Sequence, residues 1–173
     1  SIYKQSYKNI ELIVADDCSG DNTLEVVQAW SSKEKIRKRF TNINIYSNEH
    51  NMGTSKNVNE GCRVSNGKWI KILGGDDILM EDCIEANINF WLERKEDVLV
   101  VSDTIDFWKK EKEVRYRPHK ASENLTYLRR LNKNNSLKQH KQLMKRYAVA
   151  APTFFFSKNI WEKIGGFDLR YGL

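Results

Sequence analysis

The sequence predicts an α/β protein built on a mainly parallel sheet. Through the first hundred residues, short apolar runs alternate with segments of helical period, the pattern of repeated βα units joined by right-handed crossovers. Two of the apolar runs, Ile10 to Ala15 and Lys68 to Leu73, lead into adjacent aspartates, Asp16-Asp17 and Asp76-Asp77, each followed by turn residues and a helix. In open α/β sheets ligands gather outside the carboxyl ends of the strands, so both pairs stand where a pocket is expected.

The elements follow in order. A helix end is expected at Ser1 to Tyr7, ahead of the strand at Ile10 to Ala15. A helix from about Thr23 to Arg37 carries Leu24, Val27 and Trp30 on one face. Then come a strand at Ile43 to Ser47, a helix from about Thr54 to Val64, the strand before Asp76, a helix from about Glu81 to Arg94 and a strand at Asp97 to Ser102. Beyond this the period changes. Thr104 to Pro118 reads as a hairpin or an extended excursion, and Ser122 to Leu131 and Leu137 to Tyr147 as two short basic helices joined by Asn132-Lys133-Asn134-Asn135. Pro152 to Ser157 has the character of a buried aromatic strand, and Asn159 to Ile164 that of a helical turn closed by Gly165-Gly166.

Two neighbouring aspartates past a strand repel each other unless a cation, sugar hydroxyls or hydrogen-bond donors occupy the space between them. For either pair alone, loop and helix-capping roles for Asp16, Asp17 and Asp21 serve equally well; the repetition favours a shared pocket. The bulk properties fit. A chain of 173 residues with 40% apolar and 30% charged residues suits one soluble domain. No apolar run has the length of a membrane span and no signal peptide is recognisable, so a cytoplasmic location is expected. Cys18, Cys62 and Cys83 are odd in number, lack metal-ligand spacing and lie far from His50, His119 and His140, which argues against a zinc site or a disulfide framework. The net charge of +6 is uneven: Lys109 to Arg146 holds 13 Lys or Arg against 3 acidic residues. That stretch is a solvated face or a surface for an anionic partner such as a lipid diphosphate, a membrane or an acidic glycan. Nucleic acid is not expected, because no binding signature accompanies the charge.

Four blocks, YKNIELIVADDCSGDNT, NEHNMGTSKNVNEG, NGKWIKILGGDDIL and GGFD, resemble in identity and order the nucleotide-binding half of a family 2 glycosyltransferase with the GT-A fold. The resemblance implies a single domain fragment, with residues 1–102 handling the nucleotide sugar and residues 103–173 forming an incomplete, variable acceptor side after the Asp-Asp motif. It implies that Asp17 hydrogen-bonds uracil, that Asp76 lies near the ribose and donor sugar, and that Asp77 holds a Mn²⁺ or Mg²⁺ bridging the phosphates. Asp16 and Lys56 complete the expected donor-binding set. The implied reaction is an inverting transfer from a UDP-sugar to a hydroxyl of a glycan or lipid-linked acceptor, in bacterial surface polysaccharide synthesis. Peripheral contact of residues 109–146 with the inner face of the membrane goes with that reading.

The chain departs from the family pattern at three places. Gly74 stands where another acid is usual, and Val58 where an arginine often contacts base or phosphate, with Lys56 and Asn57 close enough to substitute. The sequence also begins after the family's first strand and stops before its Glu-Asp motif, so a gap in the sheet and a missing general base are expected. Asp168 is the acid nearest that base, although a turn role after Gly165-Gly166 suits it better. Trp161 and Phe167 are candidates for an acceptor pocket or for core. A nucleotidyltransferase is the alternative enzyme, and a nucleotide-sugar-binding remnant without turnover the alternative outside catalysis.

Overall fold

β1 (Glu11–Asp16) and β2 (Asn42–Ser47) run parallel, in register from Glu11 against Asn42 to Asp16 against Ser47. Parallel neighbours need a crossover, supplied by α1 (Thr23–Ser31) and the single turn of α2 (Glu34–Arg37). Further along come α3 (Thr54–Val64), β3 (Trp69–Lys71), α4 (Cys83–Arg94), β4 (Ile105–Lys110), β5 (Glu113–Pro118), β6 (Phe155–Ser157) and α5 (Lys158–Ile164). This computed structural model describes residues 1–94, 99–110, 113–118, 137–138, 140–141 and 150–170. They belong to two compact units, the first holding Ser1–Ile70, Asp76–Leu99 and Phe155–Leu173, the second Lys71–Gly75 and Val100–Phe154.

In the first unit, Ile10, just ahead of β1, and Leu12 within it are buried, as are Ile36 and Phe40, and Trp30 of α1 lies 6.2 Å from the Phe40 ring. The single helix expected from Thr23 to Arg37 is broken. Ser31 and Ser32 turn their hydroxyls back onto the carbonyls of Gln28 and Ala29, and Lys33 is extended, so side-chain bonding competes with the helical ladder at that point.

The helix end expected at Ser1 to Tyr7 is also replaced, by a short 3₁₀ turn at Ile2–Lys4 and irregular chain. Arg39 holds this irregular chain in place: its guanidinium donates to the carbonyls of Tyr3 (2.9 Å), Gln5 (2.9 Å), Tyr7 (2.8 Å) and Lys8 (3.1 Å), groups left without a helical partner. α3 spans the expected residues and packs on β1. Its carboxyl end receives the Lys158 ammonium, which donates to the carbonyls of Arg63 and Ser65, a favourable place for a cation.

β3 takes β6 as its partner. The flanking bonds, Lys158 N–H to Lys68 O at 2.9 Å and Ile72 N–H to Phe154 O at 3.3 Å, run in the crossed order of an antiparallel ladder. The parallel arrangement expected for the sheet is therefore found in β1–β2, whereas β3 joins the late aromatic strand. Phe155 and Phe156 are buried, and the Trp69 ring lies 4.1 Å from Trp91 and 5.6 Å from Phe155, fixing β3 between α4 and β6 by aromatic packing. α5 is capped at its start by the Ser157 hydroxyl, which accepts from Ile160 N–H, and closed by left-handed Gly165 at φ 78°.

In the second unit β4 and β5 form the antiparallel hairpin that the sequence left as one of two readings. Of the strand expected at Asp97 to Ser102, Val100 forms an isolated bridge and residues 97–98 lie outside the described residues. The basic helix expected at Ser122 to Leu131 lies outside them entirely; in the second, Leu137, Lys138, His140 and Lys141 are helical and exposed. Among the described residues no helix is long and apolar enough to cross a membrane.

Candidate functional site

The carboxyl ends of β1 and β2 meet at Asp16 and Ser47. Asp16 is buried, and its two oxygens accept from the Ser19 hydroxyl, the Ser19 N–H (3.0 Å) and the Ser47 hydroxyl (2.6 Å). Cys18 makes this turn possible by adopting φ 62°, a left-handed conformation uncommon outside glycine. The hydroxyl bonds from Ser19 and Ser47 hold the Asp16 carboxyl below the usual carboxylate range. A depressed folded value means that Asp16 stabilises the fold above the unfolded pKa of about 4 and that this contribution is lost as pH falls through the folded value. Replacing it with asparagine should therefore flatten the dependence of the urea midpoint on pH below about 5. Parallel acid profiles for the two proteins would remove Asp16 from this role. Asp21, one residue ahead of the N-cap Asn22, accepts from Thr23 N–H at 2.9 Å at the start of α1.

Asp17 is half-buried and holds the next loop. Its Oδ1 accepts from Asn48 Nδ2 and Met52 N–H, and its Oδ2 from Gly53 N–H, each at 2.8 Å. Gly53, at φ 81°, opens α3, and Asn57 in the first turn ties Asn48 (3.0 Å) to the Ala15 carbonyl (2.9 Å). The Met52 bond is the largest influence lowering the Asp17 pKa, ahead of the opposing effect of burial. Lys56 is exposed in that same turn. Asn48 and Asn57 thus build the site beside Asp17; of these the sequence pointed only to Asn57.

The second pair stands on the loop after β3, where Gly75 and Asp76 form a turn, Asp76 is exposed and Asp77 half-buried. Leu79 anchors the loop in the core while Ile78 and Met80 remain exposed. Gln5 fixes its far end. Fully buried, Gln5 donates to the Met80 carbonyl at 2.7 Å and accepts from Ile84 N–H at 3.1 Å, and Ser6 N–H donates to the Glu81 carbonyl at 2.7 Å. Nothing in the sequence pattern marks Gln5, because its partners are 75 and 79 residues away.

The Gly-Gly-Phe-Asp segment is held by Asn59 of α3. The Asn59 amide accepts from Phe167 N–H (2.8 Å) and the Trp161 indole (3.1 Å) and donates to the Phe167 carbonyl (2.8 Å). Trp161 and Phe167 are therefore part of this joint, with Phe167 also edge-on to Phe156 at 6.1 Å. Gly166 has φ 80°, and a Cβ there would lie 2.7 Å from Asn59 Oδ1. Gly166→Ala should cost about 2–3 kcal/mol by urea unfolding, whereas Gly20→Ala, where a Cβ meets nothing within 4 Å, should cost well under half of that. Equal losses would dissolve the constraint. Asp168 is exposed and gripped by Arg170, whose Nε lies 3.0 Å and Nη2 2.6 Å from its oxygens. That pairing lowers its pKa, which makes it a weak proton acceptor.

The residues fit a divalent cation in one specific way. Among the described residues no group of three or more His, Cys, Asp or Glu converges as a metal cage, so Asp16-Asp17 and Asp76-Asp77 do not merge into one cluster. A hard cation bound with a diphosphate needs only one or two protein carboxylates, the phosphates and water completing its shell, and Asp76 and Asp77 can offer that. A groove of about 470 Å³ lined by Ser31, Arg37, Phe40, Asn42 and Ile43 lies at the opposite, amino-terminal end of β2 and is not part of this arrangement.

Parallel βα structure with acidic residues at and past the end of β1 defines an α/β domain with carboxylates at a strand end, and the comparisons make it specific. The sequence model described as Glycosyl transferase family 2 matches residues 1–165, and the chain belongs to that family. It is 32% identical over 99 residues to the glycosyltransferase GlyG of Streptococcus pneumoniae, an alignment covering 57% of this chain and 31% of that protein. It is 33% identical over 92 residues to the Escherichia coli UDP-Glc:alpha-D-GlcNAc-diphosphoundecaprenol beta-1,3-glucosyltransferase WfgD, covering 53% of this chain and 33% of that one. The chain thus spans about a third of the length of these curated relatives. The crystal structure of S. aureus TarS 1-349 in complex with UDP superposes with a TM-score of 0.62 at 19% identity, covering 98% of this chain and 44% of that one, and agrees with the GT-A fold.

Proposed function

We propose that this domain binds a nucleotide diphosphate sugar, with UDP as the nucleotide, and transfers the sugar with inversion to a hydroxyl of a glycan or lipid-linked acceptor. The observation that carries the reading is the family match over residues 1–165, joined to carboxylates that stand past two strand ends. The names of WfgD, a UDP-Glc transferase, and of the TarS complex with UDP support the choice of nucleotide.

In this reading the acceptor oxygen forms a bond to the anomeric carbon as the bond to the diphosphate breaks; the acceptor proton passes to a base and the electron pair leaves with the nucleotide diphosphate. Mn²⁺ or Mg²⁺, when bound, neutralises charge on the leaving diphosphate. Asp77 and Asp76 hold that cation and the donor sugar, Asp17 and Lys56 the nucleotide, and Asp16 keeps the first loop in shape. We assign the base to no described residue, since Asp168 is occupied by Arg170. The location that goes with this chemistry is the cytoplasm, at the inner face of the membrane where the acceptor is lipid-linked.

Thermal unfolding with UDP, GDP, ADP and dTDP, each with and without Mn²⁺, tests the proposal. At a ligand concentration of about 100 Kd, UDP with Mn²⁺ should add about 2.7 kcal/mol of stability, and the other nucleotides or UDP alone clearly less. No shift with any nucleotide would overturn it.

A further inference from the structure

The β4–β5 hairpin of the second unit carries an apolar face that transfer chemistry does not explain. Its register sets Phe107 opposite Tyr116 and Lys109 opposite Val114, and strand alternation puts Ile105 on the same side. Ile105 is 64% exposed, Phe107 45%, Val114 51% and Tyr116 67%. Single exposed apolar residues are ordinary, but four contiguous ones on a ribbon mark a contact surface. On the other side Trp108 faces Arg115, and Arg117 bonds Asp106 at 3.1 Å while lying 5.5 Å from the Trp108 ring. β4 ends in Lys109-Lys110, which opens the stretch to Arg146 with 13 basic and 3 acidic residues.

We propose that this hairpin is a membrane-surface contact, seated on the interface of an anionic bilayer. Ile105, Phe107, Val114 and Tyr116 enter the boundary between headgroups and acyl chains, where aromatic side chains are favoured. Lys109, on the same side, reaches the headgroup phosphates, and the net positive charge of the sequence from Lys109 to Arg146 adds attraction to an anionic leaflet. Charge selects this occupant. A second copy would carry the same excess of 13 basic over 3 acidic residues from Lys109 to Arg146, so like charge opposes its approach, and aliphatic Ile105 and Val114 offer nothing to a nucleic acid base or phosphate. The proposal does not rest on sugar transfer.

The test is flotation of the full chain with vesicles of phosphatidylcholine alone and of phosphatidylcholine mixed with phosphatidylglycerol. Binding should require the anionic lipid and weaken as salt rises. Phe107→Ser combined with Tyr116→Ser should weaken it about tenfold through the lost apolar contact. Lys109→Glu combined with Lys110→Glu should do the same through charge while keeping the apolar face. All four positions are exposed, so circular dichroism and the thermal transition should match those of the parent chain. Equal binding to neutral vesicles, or unchanged binding in both double variants, would overturn the proposal. So would a concentration-dependent dimer, seen by light scattering, that the Phe107 and Tyr116 changes dissociate.

Discussion

Asp77→Asn should abolish most of the metal-assisted affinity for UDP and leave the fold intact. The substitution keeps size and one acceptor oxygen, replaces the other with an N–H₂ donor, and removes one charge from a half-buried loop position. Loss of one charged ligand to a cation shared with a diphosphate costs about 2–4 kcal/mol, or roughly 30- to 1,000-fold in Kd. The loop keeps its place because its anchors, Leu79 in the core and Gln5 on Met80 and Ile84, are untouched. Titration calorimetry with UDP, with and without Mn²⁺, separates the contributions: the metal-dependent increment should vanish while the weak metal-free affinity stays. Gln5→Ala is the structural comparison. It should lower the unfolding midpoint by leaving buried polar groups unpaired, which Asp77→Asn should not do. Unchanged affinity in the presence of Mn²⁺ would take Asp77 out of the site.

How far the sequence carried depends on the range over which each residue acts. α3 was legible, with bounds given only as about Thr54 to Val64, because its helical period is a local signal. The left-handed close of α5 at Gly165 and the burial of Phe155 and Phe156 were equally local signals, of composition and of chain conformation. What failed to show was partnership at a distance. Arg39 bonds carbonyls 31 to 36 residues away and holds the chain at Ser1 to Tyr7 in an irregular course, and β3 finds β6 about 85 residues later rather than another parallel neighbour. The site has the same asymmetry. Carboxylates at strand ends announced themselves by type and position, but the donors that fill them, Ser47, Asn48, Met52 and Gly53, come from the next βα connection.

Asp17 carries two roles that one substitution would confuse, and the geometry says how to separate them. The carboxylate accepts three bonds from its own chain, whereas its two oxygens have about four acceptor positions, so one position on Oδ2 remains for a ligand donor such as the ring N–H of uracil. Asp17→Ala leaves Met52 N–H without its acceptor and Gly53 N–H and the Asn48 amide with only Asn51 and Asn57, and should cost about 2 kcal/mol of stability together with the order of the loop that opens α3. Loss of nucleotide binding in that variant would then report loop collapse as readily as lost recognition. Asp17→Asn is the sharper probe. It retains one acceptor oxygen, should lose about half as much stability, and presents an N–H₂ group that cannot accept from uracil. Measured well below both unfolding transitions, the preference of the parent for UDP over GDP and ADP should fall by about 1.5–3 kcal/mol in Asp17→Asn if the remaining acceptor position reads the base. A variant that loses stability but keeps its preference would show that Asp17 is a loop clamp alone, and that uracil is selected by another group of the same loop, with Asn57 and Lys56 in the first turn of α3 the next to be replaced.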